Sequence, residues 1–161
     1  MIFEQPNSDY FSLLQKNFNL AIIFQMSQLN LKIVTPEKEI YNETVDQVNV
    51  STSEGEVGIL PHHANLMAKV VPGELRIKKG SKIEVLAVGE GFLQVTNNVL
   101  TIMADLAVGE DDINEKAVEE AKKRAEQALE QKLSDEEYVE TLAILEKSLA
   151  QLRVKRRHRI R

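Results

Sequence analysis

The chain has 161 residues, 43% hydrophobic and 28% charged, which is the composition of an ordinary globular protein. It contains no cysteine, and this excludes disulfides and thiolate metal sites. The absence of tryptophan, with an aromatic content of only 5%, argues against a stacking platform for single-stranded nucleic acid.

The net charge of −5 is distributed unevenly along the chain. Residues 1–109 carry a net charge of −4, residues 110–140 carry −7, and residues 141–161 carry +6. This order indicates an acidic region followed by a cationic end that favours an anionic partner.

The first 26 residues do not resemble the rest of the chain. They contain an apolar run, LAIIF at 20–24, but no basic region before it and no small-residue cleavage site. A signal peptide is therefore not indicated. A regular strand pattern starts directly after Met26, so we expect residues 1–26 to be an extension, either disordered or, in residues 1–25, upstream of a natural start at Met26.

Residues 27–109 show the pattern of an antiparallel β domain. Apolar residues alternate in short runs, as in Leu29, Leu31 and Ile33, and again in Val48 and Val50. These short runs predict about ten short strands in a β-sandwich. Turn residues separate the runs, and turns are expected at Pro72–Gly73, Lys79–Gly80, Gly89–Gly91 and Asn97–Asn98.

Residues 110–161 change to a helical period. Two capping boxes, Asp112 with Glu115 and Ser134 with Glu137, each precede an apolar stripe. The first stripe consists of Ala117, Ala121, Ala125, Ala128 and Leu129, and the second consists of Tyr138, Leu142, Leu145, Leu149 and Leu152. The fold class is therefore α+β, with the sandwich followed by an antiparallel helical hairpin. Such a hairpin buries little by itself and needs the sandwich or another subunit as support.

The stretch EGEVGILPHHANL, residues 54–66, contains the residues that most resemble a chemical site. Adjacent residues on a strand point to opposite faces, so His62 and His63 are poorly placed to share a metal ion. The two glycines lack the Lys-Ser/Thr of a phosphate loop, and Glu54 and Glu56 would repel a phosphate. No nucleophile elbow or catalytic triad pattern is present either. We interpret Glu54 and Glu56 as surface charge and expect no enzyme and no metal site.

The end of the chain, RVKRRHRIR at 153–161, is strongly basic. From the residues alone three interpretations stay open: an arm that binds nucleic acid, a solvated helix end, and a segment that docks on an acidic protein surface.

The order of motifs resembles one family. SEGEVGILPHHANLMAKVVPGELRI (53–77), GEGFLQVTNNVLTIMAD (89–105), an Ala-rich helix and SLAQLRV (148–154) are similar to the epsilon subunit of bacterial F-type ATP synthases. The resemblance covers residues 28 to 155. It implies two five-stranded sheets, a helical hairpin and a non-catalytic role in the central-stalk rotor, which couples proton flow to ATP synthesis.

The resemblance also implies partners and contact residues. The sandwich would bind the gamma subunit and the c-ring through Glu54, Glu56, Gly58, Pro61 and His63. The hairpin would lie on the sandwich or extend into the alpha/beta hexamer and inhibit ATP hydrolysis. In the extended form, cations of the second helix would meet the acidic DELSEED-type segment of the beta subunits; these cations are Lys147, Arg153, Lys155, Arg156 and Arg157.

In one motif the chain departs from the family. Some members bind ATP through [IL]-D-x-x-R-A, and the matching segment here has Ile113, Asn114 and Ala117 at the Ile/Leu, Asp and Arg positions. Two polar groups are thus missing, so we expect no tight ATP site and no cofactor. We expect a peripheral protein on the cytoplasmic side of the cell inner membrane, with membrane contact only through the complex and no nucleic-acid partner. The alternative is a free-standing sandwich whose basic tail contacts nucleic acid.

Overall fold

The computed structural model of the protein describes residues 28–131 and 133–158, without the side chain of His158. The expected extension at residues 1–26 lies outside the described residues, as does the end of the basic tail. The described chain consists of strands followed by two helices. The strands are β1 (Leu29–Val34), β2 (Glu39–Val45), β3 (Gln47–Thr52), β4 (Gly55–Ile59), β5 (Leu66–Lys79), β6 (Lys82–Val88), β7 (Gly91–Thr96), β8 (Val99–Ala104) and β9 (Ala107–Gly109).

One long strand, β5, holds the two layers of the sandwich together. Its first half, Leu66–Val70, pairs with β7, and its second half, Gly73–Lys79, pairs with β6. The strands therefore form one hydrogen-bonded sheet, in the order β2-β1-β8-β7-β5-β3-β4 with β6 and β9 attached to β5. The resemblance implied a sandwich of two five-stranded sheets. The ten expected strand segments are present only if β5 is counted once in each layer.

The expected turn at Pro72–Gly73 is wrong, because β5 continues through both residues. The register of the neighbouring β3 shifts at this point, between Val50 and Thr52. Proline cannot donate a backbone hydrogen bond, and a Cβ on Gly73 would lie 2.7 Å from the hydroxyl oxygen of Ser51. The dipeptide thus marks the bend where β5 passes from one layer to the other. The turn at Asn97–Asn98 is confirmed, since both residues have positive φ, 50° and 63°.

The core fills the space between the layers. Leu29, Leu31 and Ile33 are at most 1% exposed, which confirms the face predicted for β1. Pairing is antiparallel except between β1 and β8, which run parallel. A pattern of alternating residues predicts which face of a strand is buried, but it does not predict which strands pair.

Two helices follow the sandwich after a short 3₁₀ turn at Glu110–Asp112. They are α1 (Glu115–Leu129) and α2 (Asp135–His158), and they are antiparallel because Arg156, near the end of α2, contacts Glu119 in α1. The predicted box of Asp112 with Glu115 is wrong. The N-cap is Asn114, whose side chain accepts a hydrogen bond from the backbone N–H of Ala117 at 3.2 Å.

The predicted stripes describe only part of the helix packing. Ala125 is buried, but Ala117 and Tyr138 are exposed. On α2, Leu152 is buried as predicted, with Ser148 buried one turn before it, and a second buried line on the other side of the helix contains Ala150 and Val154. Val154 packs in one cluster with Ala87 of β6 and with Ile113. The second helix is therefore covered on two sides, by α1 and by the sandwich, and the hairpin lies on the sandwich.

The start of β7 gives a test of the packing. A Cβ on Gly91 would overlap the backbone carbonyl of Met103 in β8, which cannot move without breaking the sheet. We expect Gly91→Ala to lower the free energy of unfolding by about 1–3 kcal/mol, measured by chemical denaturation. The matched control is Gly109→Ala. Gly109 has a φ of −69°, and the nearest atom to an added Cβ is 3.9 Å away, so equal destabilisation by both variants would contradict this account.

The start of α2 gives a test of pH dependence. The backbone N–H of Ser134 donates to the Glu137 carboxylate at 2.9 Å and its hydroxyl donates at 2.7 Å, which confirms the predicted capping box. These hydrogen bonds hold the pKa of Glu137 below its ordinary value of 4.5. A lowered folded-state pKa means that the cap stabilises the helix above pH 4.5 and is lost as the pH falls through the folded-state value.

We therefore expect Ser134→Ala to raise the pKa of Glu137 toward 4.5 in an NMR titration, with loss of order in the first turn of α2. Glu137→Gln serves as the control, since it removes the titrating group and should abolish the acid-induced change at that turn. Because alanine keeps the backbone N–H at residue 134, an unchanged titration of Glu137 in Ser134→Ala would show that the Ser134 hydroxyl does not contribute to the lowered pKa.

Candidate interaction surfaces

The hairpin turn between β3 and β4 is formed by local hydrogen bonds. The hydroxyl of Thr52 donates to the carbonyl of Gly55 at 2.7 Å and accepts from the backbone N–H of Glu54 at 3.3 Å. Gly55 has a φ of 118°, a value that side chains rarely allow. The turn therefore holds Glu54 out in solvent, where its side chain is exposed.

The carboxylate of Glu56 belongs to a polar network across three strands. It forms an ion pair with Arg76 of β5 and accepts a hydrogen bond of 3.3 Å from the side-chain amide of Asn49 in β3. The oxygen of the Asn49 amide in turn accepts from Gln47 at 2.8 Å. Gly58 leaves space for this network, because a Cβ at Gly58 would lie 3.4 Å from the amide nitrogen of Asn49. Glu56 is thus an oriented charge, and Arg76 and Asn49 are network members that sequence reasoning missed.

Pro61 and His63 lie at the other end of β4, in a turn that follows the strand. The backbone N–H of His63 donates to the carbonyl of Leu60 at 3.1 Å. His62 has a positive φ of 62°, and its N–H donates to the side chain of Asn98 at 2.8 Å. From the sequence, His62 and His63 were treated as neighbours on a strand. The structure places both in or beside a turn instead. Among the described residues, no three potential metal ligands cluster.

The structure divides the candidate residues into two groups. Glu54 and Glu56 lie at or beside the β3–β4 turn, Gly58 lies toward the far end of β4, and Pro61 and His63 lie beyond that end. A five-residue strand separates the turn from the last two residues by roughly 15 Å. Asn98 fixes the second group, since it also donates to the carbonyl of Gln28 at 2.7 Å. Its role in the turn was predicted, but these two long-range contacts depend on tertiary structure.

An apolar patch lies on the outer face of the other layer. It consists of Met67, Phe92 and Met103, which are 69%, 55% and 44% exposed. Phe92 is the register partner of Met103, and Met67 lies on β5, which pairs with β7 on the other side. Clustered exposed side chains of this size mark protein contact surfaces. The sequence showed the alternation that puts these residues outside, but not that three strands bring them together.

The basic residues of α2 are mostly engaged within the chain. Lys147 pairs with Asp105 at 2.5 Å, Arg156 pairs with Glu119 at 3.1 Å, and Arg157 pairs with Glu74. The ammonium of Lys155 donates to the carbonyl of Glu110 at 3.0 Å. Arg153 is exposed, and its side chain forms no ion pair or hydrogen bond with the part of the chain that the structure describes. Three of these contacts, those of Lys147, Lys155 and Arg157, join α2 to the sandwich or to the turn that follows it.

The residues of the degenerate ATP motif have structural roles in this conformation. Ile113 is buried against Ala87 and Val154, Asn114 caps α1, and Ala117 is exposed on its first turn. No helix in the described ranges is both long enough and apolar enough to cross a membrane.

Comparisons with known proteins match both parts of the chain. Residues 28–110 match the family model "ATP synthase, Delta/Epsilon chain, beta-sandwich domain", and residues 111–156 match "ATP synthase, Delta/Epsilon chain, long alpha-helix domain". The ATP synthase epsilon chain of Halalkalibacterium halodurans is 42% identical over 106 residues, which cover 66% of this chain and 80% of the relative. The epsilon chain of Levilactobacillus brevis is 40% identical over 123 residues, 76% of this chain and 88% of the relative.

Solved structures show the same fold. A chain of the Euglena gracilis mitochondrial ATP synthase, from a structure of OSCP, F1 and the c-ring, has a TM-score of 0.68 and 25% identity over 79% of this chain and 80% of that chain. A chain from the central stalk and c-ring of the Tetrahymena thermophila enzyme has a TM-score of 0.60 at 14% identity, over 78% of this chain and 95% of that chain, and shows the fold alone. The predicted family is confirmed. The chain belongs to the ATP synthase delta/epsilon family and is an epsilon subunit of the bacterial type, a non-catalytic subunit of the central stalk.

Proposed function

We propose that this subunit couples rotation to ATP synthesis in a proton-translocating F-type ATP synthase and restrains ATP hydrolysis through its helical hairpin. The sandwich binds the gamma subunit and the c-ring, and the complex holds the protein at the cytoplasmic side of the cell inner membrane. The hairpin has two positions, one on the sandwich and one extended into the alpha/beta hexamer. No cofactor takes part.

The contact between α2 and the sandwich is the observation that carries the proposal. The hairpin is held by a small apolar cluster around Val154 and by ion pairs of Lys147 and Arg157 that remain partly exposed. Exposed pairs contribute only about 0.2–1 kcal/mol each, so the docked position is weakly held. A weakly held element can exchange between two sites when the second site offers similar contacts.

The cations supply the contacts of the second position. Lys147, Lys155, Arg156 and Arg157 satisfy carboxylates and carbonyls of this chain when the hairpin is docked. On extension the pairs with the sandwich and the following turn break, and an acidic segment of the beta subunits replaces the lost partners. The same pairing disfavours a nucleic-acid arm, because few of these cations are free to neutralise phosphates.

The candidate residues in and around β4 and the apolar patch are assigned to different partners of the sandwich. We assign Glu54, Glu56 and Gly58 to the polar loops of the c-ring, since this turn is exposed and acidic. We assign the apolar patch to gamma, because a lasting interface needs an apolar centre. Pro61 and His63 lie beside the Asn97–Asn98 turn, at the other end of β7 and β8 from Phe92 and Met103, and we assign them to a separate contact with gamma or the c-ring.

Deletion of residues 110–161 tests the regulatory role. The cut follows β9, so the strand that pairs with β6 is kept and the sandwich should still assemble with gamma. We expect the ATPase activity of the assembled complex to rise by at least about twofold, the change expected when half of the complexes are blocked. Unchanged hydrolysis in a complex that retains the shortened subunit would rule out inhibition by the hairpin.

A single substitution tests the extended position of the hairpin apart from the docked position. Arg153→Glu removes a cation that has no partner in the docked form, so it should weaken the extended form alone and raise hydrolysis in the same direction as the deletion. Lys123→Glu, on the exposed side of α1, is the control with the same charge change. An equal effect of both variants would mean that net charge and not docking is responsible.

Phe92→Asp tests the assignment of gamma. A carboxylate at the centre of an apolar interface loses its hydration without gaining a partner, so recovery of gamma with the tagged subunit should fall about tenfold or more. Val139→Asp places the same charge at an exposed position of α2, where Val139 is 64% exposed, and should leave recovery unchanged. Full recovery of gamma with Phe92→Asp would place gamma elsewhere.

A further inference from the structure

Four charged side chains form two adjacent ion pairs between the hairpin and the β3–β4 turn. Arg157 of α2 pairs with Glu74, and Arg76 pairs with Glu56. Glu74 and Arg76 are two residues apart on β5, so their side chains share one face and their backbones are about 7 Å apart. Both arginines line the same cavity of about 710 Å³, which also borders Asp111 and Asp112.

The four groups are not equally exposed. The side chain of Glu74 is 19% exposed, whereas those of Arg157, Arg76 and Glu56 are 50%, 32% and 52% exposed. A charge with little access to water needs a partner, and its attraction to a cation is less weakened by solvent. While α2 stays docked and only the charge of Arg157 is lost, Glu74 is therefore a stronger competitor for a nearby guanidinium than Glu56 is. When the whole helix is withdrawn this difference in exposure shrinks, and the position of Glu74 beside Arg76 on one face of β5 is what remains.

We propose that Glu74 and Arg76 couple the position of the hairpin to the side chain of Glu56. When α2 is docked, Arg157 satisfies Glu74 and leaves Arg76 for Glu56. When Arg157 is withdrawn, Arg76 turns to Glu74, its neighbour on the strand, and Glu56 keeps only the amide of Asn49. The biological meaning of this coupling rests on the proposed function, in which Glu56 contacts the c-ring and the hairpin controls hydrolysis.

Through this coupling, the ion pairing of the Glu56 side chain changes with the position of the hairpin. A docked hairpin holds Glu56 in an ion pair, with its charge partly neutralised and its side chain oriented. A withdrawn hairpin gives a Glu56 that is more mobile and more negative. Contact with the ring and the position of the hairpin then affect each other equally, because coupling between two binding events is reciprocal.

NMR of the full-length isolated chain tests the coupling. The signals to follow are the Nε–Hε cross-peak of Arg76 and the side-chain carboxyl carbon of Glu56. We expect Arg157→Met, which removes the charge and keeps most of the apolar stem, to shift both signals. Arg156→Met is the matched control, because Arg156 pairs with Glu119 inside the hairpin and should leave both signals unchanged.

Two further variants test whether the effect of Arg157 on Glu56 passes through Glu74 and Arg76. Adding Glu74→Gln to Arg157→Met should return both signals toward their original positions, since a neutral amide no longer competes for Arg76. In an Arg76→Met background, Arg157→Met should cause no further shift at Glu56. Reversal by Glu74→Gln is expected whether or not α2 stays docked, so a variant that undocks the helix remains informative.

The proposal is overturned if Arg157→Met leaves Arg76 and Glu56 unchanged, if Arg156→Met shifts them equally, or if Glu74→Gln fails to reverse the shift. A shift that Glu74→Gln fails to reverse would be assigned to Asp111 or Asp112 or to a general change of packing. These outcomes do not involve gamma, the c-ring or hydrolysis. Failure here thus leaves the proposed function standing, and failure of the deletion test leaves the coupling standing.

Discussion

The structure depends on β5, a single strand that belongs to both layers of the sandwich. Because its two halves pair with β7 and β6, the layers cannot separate without breaking one continuous set of backbone hydrogen bonds. Pro72 and Gly73 lie where the pairing of β5 changes from β7 to β6. This change also divides the outer surface, with the apolar patch on the first half and the charged face of Glu74 and Arg76 on the second. The apolar patch and the surface on which the hairpin lies thus both depend on one strand.

In the proposed function, the weak interface between the hairpin and the sandwich serves regulation. An Ala-lined helix against a Leu-lined helix buries too little to fold alone, so it requires a support. The sandwich provides one through Ala87 and through the carboxylates of Glu74 and Asp105. Partly exposed ion pairs orient the hairpin on the sandwich but contribute little to the free energy of docking. They can be exchanged for similar pairs on another protein. The cations that dock the hairpin are therefore also suited to release it.

The sequence predicted the elements where the cause was local. Alternation placed Leu29, Leu31 and Ile33 in the core, and Ser134 with Glu137 marked the start of α2. Predictions were wrong where two local signals competed. Asn114 caps α1 in place of Asp112, because the segment before it forms a 3₁₀ turn, and Pro72–Gly73 forms a bend because both flanks pair in the sheet.

By itself, the sequence determined the family, the change from strands to helices near residue 109 and the sorting of charge along the chain. These properties are written in the residues and their spacing. Only the tertiary structure decided that Arg157 meets Glu74, that Arg76 meets Glu56, and that Met67, Phe92 and Met103 form one patch. Such contacts join residues far apart in the chain, and their partners are selected by the pairing of strands and the docking of a helix, which periodicity does not specify.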